Sequence, residues 1–576
     1  MKTELQNLII ATLHSMKGVF LKAARDGRPL LERTRDPKNG DFATNVALTL
    51  AKAAQMPPRK VAEQIVAALP PSPLIDRVEI AGPGFINFFL APAAWQALVG
   101  EILDAGDNYG NCNVGDGRKV LIEFVSANPT GPLHVGHGRG AAYGSTLANV
   151  MSAAGYSVAR EFYINDAGRQ ADIFGVSVWL RYLAARGVDV PFPSKGYPAE
   201  YVGAIAARLD ADDDDRYLRD AKAVALGLPG DADPETQLDA YIARARELLG
   251  HDYRRLLDFS LGVQLDEIRA TLDTFGVHFD RWYSERELVT SNAIAHALDA
   301  LDARGHTYTK DGALWLRTEA LGDEKDRVLV RENGQHTYFA ADVAYHLDKL
   351  ERGHELLIDV WGADHHGYIA RVRAAIQALT GRGDAFEVSL VQFVTLSSGR
   401  MGKRSGNFVT LKELVDEAGA DATRFFYLVR SNEQHLEFDI ELARTKSNEN
   451  PVFYIQYAHA RCASVLRQLE EKGLTHDAAN GAANIARLVE PQEQSLLVTL
   501  SRLPEVVEAA AAARAPHQLP HYLRDVANDF HSWYNAHQFL IDDVPLRDAR
   551  LNLMLATRQV LCNGLALVGV SAPDAM

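Results

Sequence analysis

Cysteine is scarce in this chain: three residues, Cys112, Cys462 and Cys562, stand among 576. Their wide separation excludes a disulfide framework and the paired spacing of a structural zinc site. No unbroken apolar run approaches the ~20 residues that span a bilayer. The opening MKTELQNLIIATLHSMKG has its apolar positions interrupted by Glu4, Gln6, Asn7 and His14, unlike the continuous apolar segment of a secretion signal. A cytoplasmic protein without a structural metal is expected. Excess positive charge is missing too, since 60 Lys and Arg face 75 Asp and Glu for a formal net charge of -15. That excludes a wholesale basic footprint for nucleic acid but leaves room for a local one, because phosphate contacts need only a patch and an acidic body repels non-specific RNA. Internal repeats, heptad runs and low-complexity tails are also lacking.

What is present is the make-up of a globular protein, 47% hydrophobic and 23% charged. The length exceeds what one core organises, so about three or four domains are expected. Residues 1–112 read as an α+β unit, with helical spacing at the start and a strand-like stretch from Val78 to Leu90 turned by Gly82, Pro83 and Gly84. The polar, glycine-rich stretch from Asp104 to Arg118 follows as a linker. At Lys119 the apolar strand KVLIEF leads through a Pro/Gly/His-rich turn into the small-residue helix GRGAAYGSTLANVMSAAG. Strand, loop and helix in that order open a nucleotide-binding α/β domain. Between about Gly175 and Ser260 the chain becomes helical and acidic, which predicts an inserted subdomain. Strand and helix signals resume with ALWLRT, RVLVRE and ELLIDVWGAD, so an α/β domain over 113–449 closes around the insertion. Residues 450–576 are nearly all amphipathic helix with breaks near Gly473, Pro491, Pro504 and Pro545, which predicts a helical bundle.

The stretch from Ile122 to Gly144, IEFVSANPTGPLHVGHGRGAAYG, carries the most chemistry. Its Pro129, Gly131, Pro132 and Gly136 shape a turn that lets backbone approach a ligand, and the helix that follows points unpaired N–H groups at any phosphate there. His134 and His137 stand three apart and face one ligand together, as donors to a phosphoryl group whose charge grows during reaction. Capping of the turn, or metal binding by the pair, is the plainer alternative. RMGKRSGN, Arg400 to Asn407, is a basic loop on glycine hinges; a lysine there swings onto phosphate and leaves again, or else the loop is a solvated surface.

HVGH after a strand resembles the HIGH signature of class I aminoacyl-tRNA synthetases, and RMGKRSGN is similar to their KMSKS loop. Arg400 replaces the first lysine, Gly402 replaces the serine, and Lys403 matches the second lysine. YINDAGRQ (Tyr163 to Gln170), IEFVSAN, TYFAADVAYHLDK and QYAHARCAS resemble segments of arginyl-tRNA synthetases in that family's order. The resemblance implies a Rossmann-like catalytic domain with a helical insertion, an N-terminal α+β appendage that touches the tRNA elbow, and a C-terminal all-α anticodon-binding bundle. GDFATNVALTLAK, Gly40 to Lys52, is the appendage's most similar segment. Pro132, His134, Gly136, His137, Gly138 and Lys403 carry over as ATP-binding residues, with His134, His137 and Lys403 catalytic. Glu123, Asn128, Tyr338 and Asp342 carry over as arginine-binding, and His366 stands about where the family has a polar residue.

A guanidinium offers five donors in a planar fork, which Glu123 and Asp342 accept in pairs as no ammonium permits. Exposed aromatics among Tyr454, Tyr457, Trp533 and Tyr534 are candidates to stack on anticodon bases. The implied reaction joins L-arginine to the terminal adenosine of arginine tRNA through an arginyl-adenylate, with Mg²⁺ accompanying ATP and no structural metal. The expected partners are arginine tRNA, L-arginine and ATP, with neither membrane nor DNA, and the expected state is a monomer. A class I synthetase for another amino acid and a non-catalytic tRNA-binding relative are the competing readings. The family further implies that tRNA must be bound before the amino acid is activated.

Overall fold

The computed structural model describes residues 1–26, 30–34, 36–229, 232–397 and 409–576. Its centre is a five-stranded parallel sheet of Lys119–Glu123, Ser157–Ile164, Arg281–Ser284, Leu356–Gly362 and Phe386–Val391. The spatial order runs from Phe386–Val391 through Leu356–Gly362, Lys119–Glu123 and Ser157–Ile164 to Arg281–Ser284. Chain order reverses between Lys119–Glu123 and Leu356–Gly362. In open parallel sheets such a reversal leaves a crevice beyond the strands' carboxyl ends, where ligands bind. The strands read as apolar runs because helices cover both faces; Val120, Leu121, Ile122, Leu357 and Ile358 have no exposed surface.

Helix Val135–Ala153 packs directly on this sheet because its residues are small. A side chain at Gly144 would lie 2.4 Å from the Phe124 ring, so glycine there sets how closely helix and strand approach. The insertion has its own hydrophobic core, with Phe174, Trp179, Tyr182, Leu209, Tyr217, Leu238 and Leu256 inside it. That core runs from Ala171 to Leu261, while the end of helix His251–Thr274 returns to the central core through Ile268 and Leu272. The flanking helices continue the catalytic domain's chain without a composition break. Two of the resumed strands do not enter the central sheet: Ala313–Leu316 and Arg327–Val330 join Thr307–Lys310 in a separate antiparallel sheet. Only the ELLIDVWGAD segment supplies a parallel strand.

The N-terminal unit is a four-stranded antiparallel sheet, with Ile75–Ala81 and Phe85–Leu90 forming the hairpin turned by Gly82, Pro83 and Gly84. It docks on the C-terminal helices through Arg33, which grips Glu505 at 2.7–3.1 Å and Ser501 at 2.8 Å. In the C-terminal unit Pro491, Pro504 and Pro545 fall in the first turns of helices Pro491–Leu500, Leu503–Ala512 and Val544–Val568. Proline is tolerated there because its missing N–H would have had no helical partner. Helix Val544–Val568 is long and apolar enough to cross a membrane by length and composition, yet it is mostly buried. Its Arg550 pairs at 2.8 Å with the fully buried Glu493, as a bundle's core helix does.

Candidate active site

The crevice at the reversal point holds a cavity of about 490 Å³ lined by Ser126, Asn128, His134, Gly136, His137 and Gly140 on one side and Trp361, Gly362, Asp364, His365 and Phe393 on the other. Strand Lys119–Glu123 leads into it through Val125 and Ser126, both in the left-handed region at φ 69° and 39°. For a β-branched valine that backbone is strained. The turn holds because the Ser126 hydroxyl donates to Glu123 at 2.8 Å and accepts from the Tyr163 N–H at 3.1 Å. The insertion grips the far end of the turn, where Tyr201 donates to the Thr130 carbonyl at 2.7 Å.

His134 caps helix Val135–Ala153. Its Nδ1 accepts from the Gly136 N–H at 3.0 Å and from the His137 N–H at 3.4 Å, while His137 Nδ1 accepts from the His134 N–H at 3.2 Å. The rings stack with centroids 3.7 Å apart. With both Nδ1 atoms accepting, the ring proton of each imidazole sits on Nε2 and both rings are neutral. Burial lowers the His134 imidazole below its ordinary range, and burial plus the neighbouring His134 brings His137 down to about 3. Capping therefore uses Nδ1 of each ring and leaves each ring proton on Nε2. Gly136 is required by this cap, since a side chain there would lie 2.9 Å from the His134 ring.

Lys403 and the rest of RMGKRSGN, Arg400 to Asn407, lie outside the described residues. The chain just beyond them is described and is bonded onto the histidine turn: Val135 N–H donates to Val409 at 3.2 Å and Leu411 N–H to Leu133 at 2.7 Å.

A cluster of charged and aromatic side chains gathers around helix Tyr338–Glu351 and Tyr163. Tyr338 stands on its first turn, 67% exposed. Burial pushes the Asp342 carboxyl up, opposed by the Tyr368 hydroxyl that donates to it. Glu123 is buried, receiving Lys349 Nζ at 2.5 Å. Asn128 is exposed at the cavity, and His366 is exposed on the turn Ala363–Tyr368, outside the residues that line the cavity. Glu285 also belongs to this group and was not singled out from the sequence. Burial first, then Asp342 and Asp166, push its carboxyl up to about 7, and the Tyr163 hydroxyl bonds it. Its signal was the Ser284-Glu285-Arg286-Glu287 run, a capping box that starts helix Glu285–Thr290 and places Glu285 in its first turn. Among the described residues, no group of three or more His, Cys, Asp and Glu side chains is arranged to hold a metal.

Among the four aromatics weighed for RNA contact, Trp533 is fully buried and is removed from that list; helical spacing alone did not distinguish it from its neighbours. Tyr457 and Tyr534 are half-buried and flank Arg461, whose guanidinium lies 4.4 Å and 4.6 Å from their ring centres.

A switch-point crevice with a histidine-capped helix start defines the catalytic domain of a class I tRNA synthetase, and residues 98–445 match the family model "tRNA synthetases class I (R), catalytic domain". Residues 3–90 match the "Arginyl tRNA synthetase N terminal domain" and residues 455–576 the "DALR anticodon binding domain". The chain belongs to the arginine–tRNA ligase family. It is 57% identical over 553 residues to the arginine–tRNA ligase of Thioalkalivibrio sulfidiphilus, covering 94% of each chain. With that of Halorhodospira halophila it shares 56% over 552 residues, covering 95% of this chain and 94% of the relative. The fold is similar to Thermus thermophilus arginyl-tRNA synthetase, with a TM-score of 0.75, 23% identity and both chains covered in full.

Proposed function

We infer that this protein activates L-arginine with ATP and transfers it to the 3′-terminal adenosine of arginine tRNA. The observation that carries this reading is the cluster of Asp342, Glu285 and Glu123 around Tyr163, with Glu123 ending the strand that leads into the histidine-capped crevice. Two or three carboxylates around aromatic rings suit a planar guanidinium, and buried polar partners discriminate by about 10⁴ to 10⁵ against ligands that leave them unpaired. ATP occupies the crevice over Pro132, Gly136 and Gly138, with its phosphates at the helix start. The arginine carboxylate attacks the α-phosphate, pyrophosphate leaves, and a ribose hydroxyl of the tRNA then takes the arginyl group and releases AMP. Nε2–H of His134 and His137, with Lys403 from the loop that returns at Val409, meet the charge that develops on phosphate. Glu123, Asn128, Tyr338 and Asp342 position arginine, with Glu285 added and His366 at the rim.

Mg²⁺ would accompany ATP to supply charge neutralisation on its phosphates, with Asp364 the carboxylate among the cavity residues and no dedicated protein cage required. The domains divide at 112/113 and 449/450, and the protein works in the cytoplasm as a monomer, with no need for membrane or DNA. Tyr454, Tyr457 and Tyr534 with Arg461 offer an anticodon base a stacking face. Charging of bulk tRNA with labelled arginine and lysine tests the reading: arginine is incorporated and lysine is not, and comparable incorporation of lysine overturns it. Activation is further expected to wait for tRNA. ATP–pyrophosphate exchange is then negligible for the protein alone and appears on adding arginine tRNA.

A further inference from the structure

Three carboxylates lie in one row across three adjacent strands. Asp359 is the register partner of Glu123, and Glu123 is the register partner of Glu161. In-register side chains on parallel strands share a face, so three like charges are placed side by side in the sheet's interior, each buried. Helix Tyr338–Glu351 and its cap answer them with His346, Lys349 and Arg352, spaced three residues apart so that all three face the row. Arg352 takes Glu161 at 2.7 Å and 2.9 Å, with the Tyr345 hydroxyl adding a bond at 2.8 Å. Lys349, wholly excluded from solvent, donates to Glu123 at 2.5 Å and to Asp359 at 2.9 Å. His346 bonds Asp359 through Nε2 at 3.0 Å and the backbone carbonyl of Asp342 through Nδ1 at 2.7 Å.

One unbroken chain of bonds therefore runs from the Glu123 carboxylate to the backbone carbonyl of Asp342: Glu123 to Lys349, Lys349 to Asp359, Asp359 to His346, and His346 to the Asp342 main chain. Resting on the arginine reading of this site, we propose that Lys349 is the positioning residue of the amino-acid pocket, fixing Glu123 directly and the helix turn that carries Asp342 through Asp359 and His346. Burial alone would discharge the Lys349 ammonium, and Asp359, Glu123 and Glu161 outweigh it and keep it charged. Burial likewise pushes Glu123 up while Lys349 holds it down. Removal of Lys349 leaves Glu123 and Asp359 facing each other with only His346 on the row beside them, and Glu123 takes up a proton. The other charged or titratable groups around it are Glu161, Arg352, Tyr345, Asp342, Glu285 and Tyr163.

The test is Lys349→Met, close in shape and without charge, alongside Glu123→Gln, in the full-length protein with tRNA. The expected result is an arginine KM raised at least tenfold, with the KM for ATP rising much less, because the histidine cap has its own bonds and the turn meets Glu123 only through Ser126. The ratio of variant to wild-type arginine KM falls as pH is raised, because Glu123 without Lys349 is pushed up by burial and regains its charge only with rising pH; general loosening would give a ratio that does not move with pH. Taking the ratio cancels the titration of Glu285, which both proteins share. A folded Lys349→Met with wild-type arginine KM, while Glu123→Gln raises it, overturns the positioning role and leaves the arginine pocket standing. If Glu123→Gln has no effect either, Glu123 leaves the pocket and the proposal goes with it. Loss of a buried partner is strongly destabilising, so where Lys349→Met does not fold, His346→Gln decides. It breaks the same chain at its other end and is expected to raise the arginine KM about threefold to tenfold without moving that for ATP. Unchanged constants in that variant overturn the proposal.

Discussion

The nucleotide half and the amino-acid half of this site rest on opposite electrostatic plans. At the HVGH turn the two signature rings are neutral, and on the proposed reading phosphate is drawn by N–H dipoles at the cap and helix start together with Lys403. In the amino-acid half, full charges are dense and buried: Asp342 and Glu285 face the pocket, and a row of acids behind them is matched by a row of bases. On the proposed reading, a phosphoryl group that changes its charge during the reaction is met by preset dipoles and by a lysine that comes and goes with its loop. A guanidinium never changes its charge and is met by carboxylates.

The contrast can be broken from either side. The largest effect is expected from His134→Ala or His137→Ala, each lowering arginine- and tRNA-dependent pyrophosphate exchange by about 10² to 10³. The arginine KM stays within about threefold, because the pocket has its own supports. Near-normal exchange in both variants would take the histidines out of the chemistry. Next is Asp342→Asn, which keeps shape and removes charge. A hydrogen bond to a charged group is worth about 1.5–3 kcal/mol, so the arginine KM should rise about tenfold to a hundredfold while that for ATP holds. An unchanged arginine KM on folded protein would move the guanidinium elsewhere.

A smaller effect is expected from pH. Glu285 sits at about 7, so its negative charge is present above that value and is lost as pH falls through it. Arginine KM therefore rises by about tenfold at most for each unit below pH 7, and Glu285→Gln flattens that limb. The same slope in both proteins would assign it to another group.

The smallest effect on turnover belongs to acid stability. His137 is held at about 3 in the fold against about 6.5 unfolded, so only the unfolded chain takes the proton between those values. Stability is whole above about 6.5 and is lost below it, by roughly 2 kcal/mol at pH 5. Urea midpoints at pH 7 and 5 should show His137→Gln losing less than wild type, and equal losses would show that the ring is not held neutral.

The sequence made some of these features legible and hid others for physical reasons. The crevice was readable because a strand, a Pro/Gly turn and a small-residue helix are local and contiguous. The partner of a strand is not local: ALWLRT and RVLVRE alternate like strands, but nothing in them says they pair with Thr307–Lys310 and not with the central sheet. Trp533 and Tyr534 are adjacent on one helix, and only packing decides that the first is buried and the second meets Arg461. The row of acids had a visible trace, an aspartate inside the apolar run LLIDVW of Leu356–Gly362. Its meaning depended on the register that sets Asp359 beside Glu123, and register is a tertiary fact.

The reciprocal cap between His134 and His137 also limits how this enzyme can be engineered. The rings that start helix Val135–Ala153 are the rings proposed to meet phosphate, so on that reading stability and rate draw on the same four ring nitrogens. A cap substitution typically costs about 0.5–2 kcal/mol, and at these two positions that cost arrives together with the loss of a donor. Libraries selected for thermal tolerance should therefore recover His134 and His137 unaltered, and their gains should come from exposed positions remote from the turn, where the two demands are separable.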